Sequence, residues 1–296
     1  MTRQHKMTCK LVLGTVQFGM EYGIANVNGR PDTQRVADIL ALAQEAGVTL
    51  LDTAISYGDS EEVLGRVGIS GWQVITKLPP LPDDTADIVG WIEAQVTASL
   101  SRLGIDRLYG LLLHAPTQMH GARASAIASA LESVAAQGLI GRVGVSLQHP
   151  DHDLPAVLRH MAPGLIQTPF NLLDDTLVTN GWAAQLRGMD CKVHTRSAFL
   201  QGLLLMDRAA RPAYFDRWAG HWQVWHGWLE RTGLSAPDAC LRFVRAQPHI
   251  DACIIGVDSA AQLKDLLATG DGALPDLPSW PGPADADLIT PSRWIP

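Results

Sequence analysis

Eight short, nearly unbroken apolar runs recur along the chain, each followed by a longer stretch of mixed or helical character. The runs lie at 10–13, 48–51, 73–76, 109–113, 142–145, 164–167, 191–195 and 252–255. Continuous Val, Ile and Leu over four or five residues is the pattern of a strand covered on both faces. A strand with one face in water would alternate instead. Helical segments are predicted at 33–46, 85–103, 123–137 and 235–246. Gly47, Gly104 and Gly138 close the first three, and Ser235-Ala236-Pro237 opens the fourth with a cap and an early proline. Such alternation over residues 10–255 predicts an α/β fold with a parallel sheet. The count of eight predicts a closed (β/α)8 barrel, a TIM barrel, forming a single domain over 1–296. A doubly wound dinucleotide fold would place GxGxxG after its first strand. Gly14-Thr15-Val16-Gln17-Phe18-Gly19 lacks that spacing. Residues 270–296, rich in Pro and Gly, are expected to form an irregular tail packed on the body through Trp280 and Trp294.

Composition agrees with an ordinary soluble globular protein. Of the 296 residues, 47% are hydrophobic and 18% charged, enough to fill a core and too apolar for disorder. Lys and Arg number 23 against 30 Asp and Glu, a net charge of -7. That sign argues against nucleic acid or an anionic membrane as partner, since both reward basic patches. No apolar run approaches the ~18 residues of a membrane span. The polar start, MTRQHKMTCK, has no signal-peptide core. Cys9, Cys191, Cys240 and Cys253 form no CxxC pair, so neither a disulfide framework nor a zinc site is expected. A reducing, cytoplasmic location is the expectation. HExxH and similar spacings are absent, and no metal is predicted.

On a barrel of this kind chemistry collects where strands end. The first polar residues after three successive runs are Asp52, Lys77 and His114, with Tyr57 five residues beyond Asp52. The four types make chemical sense together. A tyrosine, with an ordinary pKa near ~10, donates a proton poorly near neutrality unless a cation stabilises its phenolate. Lys77 can supply that cation. Asp52 can hold the ammonium charged in a buried place. His114 can donate to a substrate carbonyl. Singly, each has a plainer reading: a helix cap for Asp52, a loop-start charge for Lys77, a core histidine for His114, a loop aromatic for Tyr57. Their joint order favours the site.

The segments LDTAISYGDSEEVLG, VITKLPP and GLLLHAP resemble the signature segments of the aldo-keto reductase superfamily, a likeness that runs from about residue 10 to about 267. It implies a (β/α)8 barrel, NADPH or NADH bound without a Rossmann domain, a small-molecule carbonyl substrate, and Tyr57 as general acid/base. GTVQFGMEYGIAN, HTRSAFLQGLLL and DLITPSRW resemble a bacterial branch met in polysaccharide and nucleotide-sugar contexts, which implies a sugar-like substrate and a place in carbohydrate metabolism. The resemblance further implies cofactor contacts. Gly14, Thr15 and Val16 would lie beside the nicotinamide, with Asp52 near. Ser146 and Gln167 would meet its carboxamide. Arg196 and Ser197 would follow the seventh strand, and Gly256, Val257, Asp258 and Gln262 would serve at the last helix, whose N-terminus suits a phosphate.

Three positions depart from the family pattern. Leu147 stands where Asn is common, so one amide contact is missing. Arg196 stands where many members stack a Tyr on the nicotinamide. Its guanidinium can also stack, or reach a substrate phosphate or carboxylate, or form a structural salt bridge. Asp258 stands near where Arg or Lys often binds the extra phosphate of NADPH. There it favours NADH, or merely caps the helix 260–267.

Tyr214, Trp218, Trp222, Trp225 and Trp228 repeat at helical spacing, and read as a stripe packing a helix on the barrel or, alternatively, as a wall of the mouth. His221 and His226 read as surface or core residues. Glu61-Glu62 and Asp174-Asp175 read as solvated charges. The leading expectation is a nicotinamide-dependent oxidoreductase acting on a sugar-like carbonyl or alcohol. The alternatives are a general small-aldehyde reductase and a non-catalytic nicotinamide-binding barrel serving as sensor or subunit.

Overall fold

Each of the eight apolar runs contributes a strand: β1 (Lys10–Gly14), β2 (Leu50–Asp52), β3 (Gln73–Leu78), β4 (Gly110–Leu113), β5 (Val143–Ser146), β6 (Leu165–Pro169), β7 (Lys192–Arg196) and β8 (Ala252–Gly256). The structure, a computed structural model, describes residues 9–26 and 28–294. All neighbouring strands pair in parallel, and β8 returns to β1, which closes the barrel. The polar start at residues 1–8 lies outside the described residues. Several strands run further than the apolar runs, and so carry the polar residues that follow them. The second run behaves differently. Its Val48 N–H bonds the Ala43 carbonyl at the end of the preceding helix, so pairing begins only at Leu50.

Helices follow every strand: α1 (Thr33–Glu45), α2 (Ser60–Val67), α3 (Ile88–Leu103), α4 (Ala124–Ala135), α5 (Pro150–His160), α6 (Trp182–Gly188), α7 (Ala219–Thr232), α8 (Ala236–Arg245) and α9 (Ala260–Leu267). Helix α3 begins three residues later than its spacing suggests, because Asp87 is the cap and accepts from Gly90 N–H at 2.9 Å. Asp32 and Ser235 cap α1 and α8 in the same way. Among the described residues, no helix is long and apolar enough to cross a membrane.

The core has two parts. The larger lies between strands and helices. The smaller fills the barrel itself, with Val12, Leu50, Ile75, Leu112, Leu165, Ala252 and Ile254. Side chains along a strand alternate faces with period two. Two residues beyond these interior positions stand Gly14, Asp52, Lys77, His114, Gln167 and Gly256. The polar candidates are therefore the next layer of the same interior stack, at the ends of the strands. That layer is where barrels of this type carry chemistry.

The segment after β7 is less regular than its aromatic spacing suggests. Residues Ala213–Trp218 form a 3-10 helix, and α7 starts only at Ala219. Trp218, Trp222, Trp225 and Trp228 are buried. Their indole N–H groups go to Asp285 Oδ2 and to the carbonyls of Phe215, Leu204 and Asp276. The stripe thus ties the loop after β7 to the chain's last segment. Among the described residues, that segment contains only the short helix Ala286–Ile289 and one 3-10 turn, Pro291–Arg293. Trp294 packs edge-on against Phe215, and Trp280 stacks on His221 and Trp225.

Candidate active site

The centre of the site is an ammonium with no access to water. Lys77 Nζ donates to Asp52 Oδ2 at 2.7 Å, to the Thr53 carbonyl at 2.8 Å and to Tyr57 Oη at 3.3 Å. Lys77 is 0% exposed and Asp52 4%. Burial alone would pull the lysine below its ordinary range. The charges of Asp52 and Tyr57 oppose that and hold it above the usual value. The other carboxylate oxygen, Asp52 Oδ1, accepts from Gln167 Nε2 at 2.6 Å, and Ser146 Oγ lies 3.4 Å from Gln167 Oε1. Every arm of Asp52 is therefore engaged, as a buried charge requires.

Tyr57 reaches this centre from the loop after β2. Two glycines make its position available. At Gly19 a Cβ would sit 1.7 Å from the Tyr57 carbonyl oxygen, and Gly58 has φ +57 with its own Cβ position 2.2 Å from the Gly19 carbonyl oxygen. The loops after β1 and β2 thus touch backbone to backbone, and Thr15 fastens them by bonding the Asp52 carbonyl through N–H and Oγ1. His114 stands edge-on to the Tyr57 ring, centroids 5.6 Å apart, with Nδ1 3.1 Å from Ser56 Oγ. Burial first, then the field of Lys77, pushes its pKa down to about 4. The ring is neutral at pH 7 and has one nitrogen left for a ligand.

A cavity of about 360 Å³ opens beside Asp52 and Tyr57 and runs to the N-terminus of α9. Gly14, Thr15, Val16, Arg196, Ser197, Gly256, Asp258 and Gln262 line it. Lys77, His114, Ser146 and Gln167 are not among the lining residues: Lys77 and His114 meet the wall through Tyr57, and Gln167, with Ser146 beside it, through Asp52. Val257 is 1% exposed, its side chain in the core. The wall also contains residues that the strand-end reading passed over, among them Gln17, Tyr22, Gln201 and Asp265. Gln201 Nε2 donates to Tyr22 Oη at 3.0 Å, which joins the loops after β1 and β7 across the opening. A signal for these residues was present: Gln17, Tyr22 and Gln201 all belong to the segments GTVQFGMEYGIAN and HTRSAFLQGLLL. None of the Trp residues lines this cavity, so the wall reading of the stripe is replaced by the packing one.

Two further expectations are corrected. Asp258 does not cap α9. Ser259 does, accepting from Gln262 N–H at 3.2 Å, while Gln262 folds back to accept from Asp258 N–H at 2.8 Å. Burial pushes the Asp258 carboxyl up, with Gln262 opposing. Glu61 is not solvated. It is 2% exposed and accepts from Thr76 Oγ1, Ser99 Oγ and Arg102 Nε at 2.6, 2.7 and 2.8 Å. The reason is its place on α2, which faces α3 and the outer side of β3. Asp174 is buried too, in a short bridge with Asn171.

The sequence matches the model of the aldo/keto reductase family over residues 10–276, and the chain belongs to that family. Its members are oxidoreductases. No curated protein matches at a significant level. Among solved structures, an aldo-keto reductase from Bacillus halodurans in its holo form aligns with TM-score 0.71 and 18% identity, over 90% of this chain and 88% of that one. A glycerol dehydrogenase from Gluconobacter oxydans aligns with TM-score 0.69 and 22% identity, over 91% and 88%. A Pseudomonas aeruginosa protein provisionally described as an aldo-keto reductase aligns at 0.64 and 23%, over 89% and 90%. At these identities the likeness is one of fold.

Proposed function

We propose that the protein is a nicotinamide-dependent carbonyl reductase or alcohol dehydrogenase acting on a sugar-like carbonyl or alcohol, with Tyr57 as general acid/base. The observation that carries this reading is the fully buried Lys77 ammonium held between Asp52 Oδ2 and Tyr57 Oη. A scaffold gains nothing from burying a cation against a phenol at a cavity wall. An acid that must leave a stable anion gains a great deal.

A dinucleotide fits the wall that the chain offers. The cavity is extended, and it carries a buried polar atom with no partner, Gln17 Oε1. Gly14, Thr15, Val16 and Ser197 would hold the reactive end, and Gly256, Asp258 and Gln262 the far end. When bound, the nicotinamide supplies or accepts the hydride at the substrate carbon. In reduction Tyr57 Oη gives its proton to the substrate oxygen, and in oxidation takes it back. Lys77 stabilises the charge left on Oη, and Asp52 and Gln167 keep Lys77 in place. With the Ser56 hydroxyl donating to Nδ1, His114 Nε2–H is the ring's remaining donor, assigned here to the substrate oxygen.

The nucleotide is read as NADH. At the far end the carboxylates Asp258 and Asp265 line the cavity, and among its described lining residues Arg196 alone is basic. Like charges at about 4 Å repel by ~1 kcal/mol even in water. Turnover of free aldoses, nucleotide sugars and simple aldehydes with each nucleotide tests the reading. Reduction by NADH supports it, and no turnover by either nucleotide defeats it. Asp258→Arg is expected to tighten NADPH about tenfold, less so at high salt. Fluorescence titration of both nucleotides measures it, and an unchanged NADPH affinity places the preference elsewhere.

A further inference from the structure

The two strand-end departures from the family pattern, at 147 and 196, touch each other. Leu147 buries its side chain in the core at 0% exposure, and its carbonyl accepts from Arg196 Nη2 at 2.8 Å. Arg196 Nη1 donates to Ser197 Oγ at 3.3 Å. Ser197 adopts φ +63, a left-handed backbone that a serine enters at some cost. A carbonyl at one strand end and the hydroxyl of a serine with left-handed backbone at another thus fix the guanidinium at the cavity wall.

What fixes the guanidinium does not neutralise it. Among the described residues no carboxylate lies within ion-pairing distance of Arg196. Its partners are a neutral carbonyl and a neutral hydroxyl, which leave Nε–H and further Nη hydrogens unengaged. Asp52, the acid at the centre of the site, already has Lys77 and Gln167. A half-buried guanidinium held at the cavity wall without a counter-ion keeps its charge and free donors available to an anionic ligand. Arg196 is near enough to His114 and Tyr22 to act on both electrostatically, and His114 is the group assigned to the substrate oxygen. The far end of the cavity, by contrast, is acidic.

We propose that Arg196 binds a phosphate or carboxylate carried by the carbonyl substrate, so that the protein's preferred substrates are anionic. A planar fork held from behind suits two-point binding of such a group. The proposal rests on the oxidoreductase reading above. The same chemistry could be satisfied by the nucleotide's own pyrophosphate, and the experiment separates the two sources.

Matched pairs decide it: glyceraldehyde 3-phosphate against glyceraldehyde, and succinic semialdehyde against butanal. The expected result is a preference of tenfold or more for the anionic member of at least one pair. Arg196→Gln should cut that preference about 10- to 100-fold, chiefly through KM, the scale of one or two charge-assisted hydrogen bonds. Arg196→Lys should give an intermediate ratio. A preference that survives Arg196→Gln, while nucleotide affinity by fluorescence drops instead, overturns the proposal in favour of the pyrophosphate. A preference and nucleotide affinity that both survive leave Arg196 a structural residue and overturn it too. If the protein turns over none of these compounds, the oxidoreductase reading is what fails. Calorimetric titration with inorganic phosphate then judges Arg196 alone: binding weakened about tenfold in Arg196→Gln supports an anion site, and equal binding removes it.

Discussion

Thr76 and Lys77 are neighbours on β3, yet they feed two different buried carboxylates. Lys77 points into the barrel and meets Asp52, while Thr76 points outward and meets Glu61. The two networks are similar in chemistry and opposite in purpose. Around Glu61 the donors come from Thr76, Ser99 and Arg102, so α2, α3 and β3 are locked together with no opening to a ligand. Arg102 Nη2 adds an ion-pair contact at 2.7 Å without hydrogen-bond alignment. Around Asp52 the cation has a third arm, Tyr57 Oη, and that arm stands at a cavity. Strand alternation makes this division of labour possible: one residue serves the wall and the next serves the site.

The largest expected difference between them is in turnover. Lys77→Met keeps the volume and removes the cation. Activity should fall by ~10³–10⁴-fold, and the double variant with Asp52→Asn should be little worse, since the groups act as a unit. Additive losses in that cycle would break the pairing. Glu61→Gln should do the reverse: stability falls by about 3 kcal/mol while kcat/KM stays within a few-fold. Denaturant unfolding beside steady-state kinetics reads both. A Glu61→Gln enzyme that is stable but dead would erase the contrast.

A smaller effect concerns pH. His194 is buried and His114 half-buried, and desolvation pushes each down to about 4. Unfolded, each titrates near ~6.5. Between these values the unfolded chain binds more protons than the folded one, so stability falls as pH drops from about 6.5 to about 4. The loss should total a few kcal/mol. His194, behind the site with Nδ1 unpartnered, can be tested separately. His194→Gln should flatten part of the slope in unfolding midpoints measured at successive pH values, and an unchanged slope would contradict the assignment.

The barrel was legible because continuous apolar runs and glycine stops repeat often enough to count. The inner half of the site was legible for the same reason: Asp52, Lys77 and His114 are the first polar residues after such runs. The outer network was not. Glu61 sits in an acidic pair at a helix start, and its partner Arg102 lies on another helix, so only packing reveals the bond. The Arg196–Leu147 contact was equally hidden, because a backbone carbonyl has no signature in sequence. Asp258 is legible as a cofactor-contact candidate at the start of the last helix, but its relation to Ser259 and Gln262 depends on how the loop folds back.

Tyr57→Phe bears on the identity of the proton donor with the least disturbance, since it removes one oxygen and keeps the ring against Lys77 and His114. Single-turnover reduction of the best aldehyde should slow by ~10²–10⁴-fold while nucleotide affinity stays near that of the unaltered protein. A variant that retains more than about a tenth of the rate would show that the acid is another group, and the Lys77–Asp52 pair would then need a different purpose.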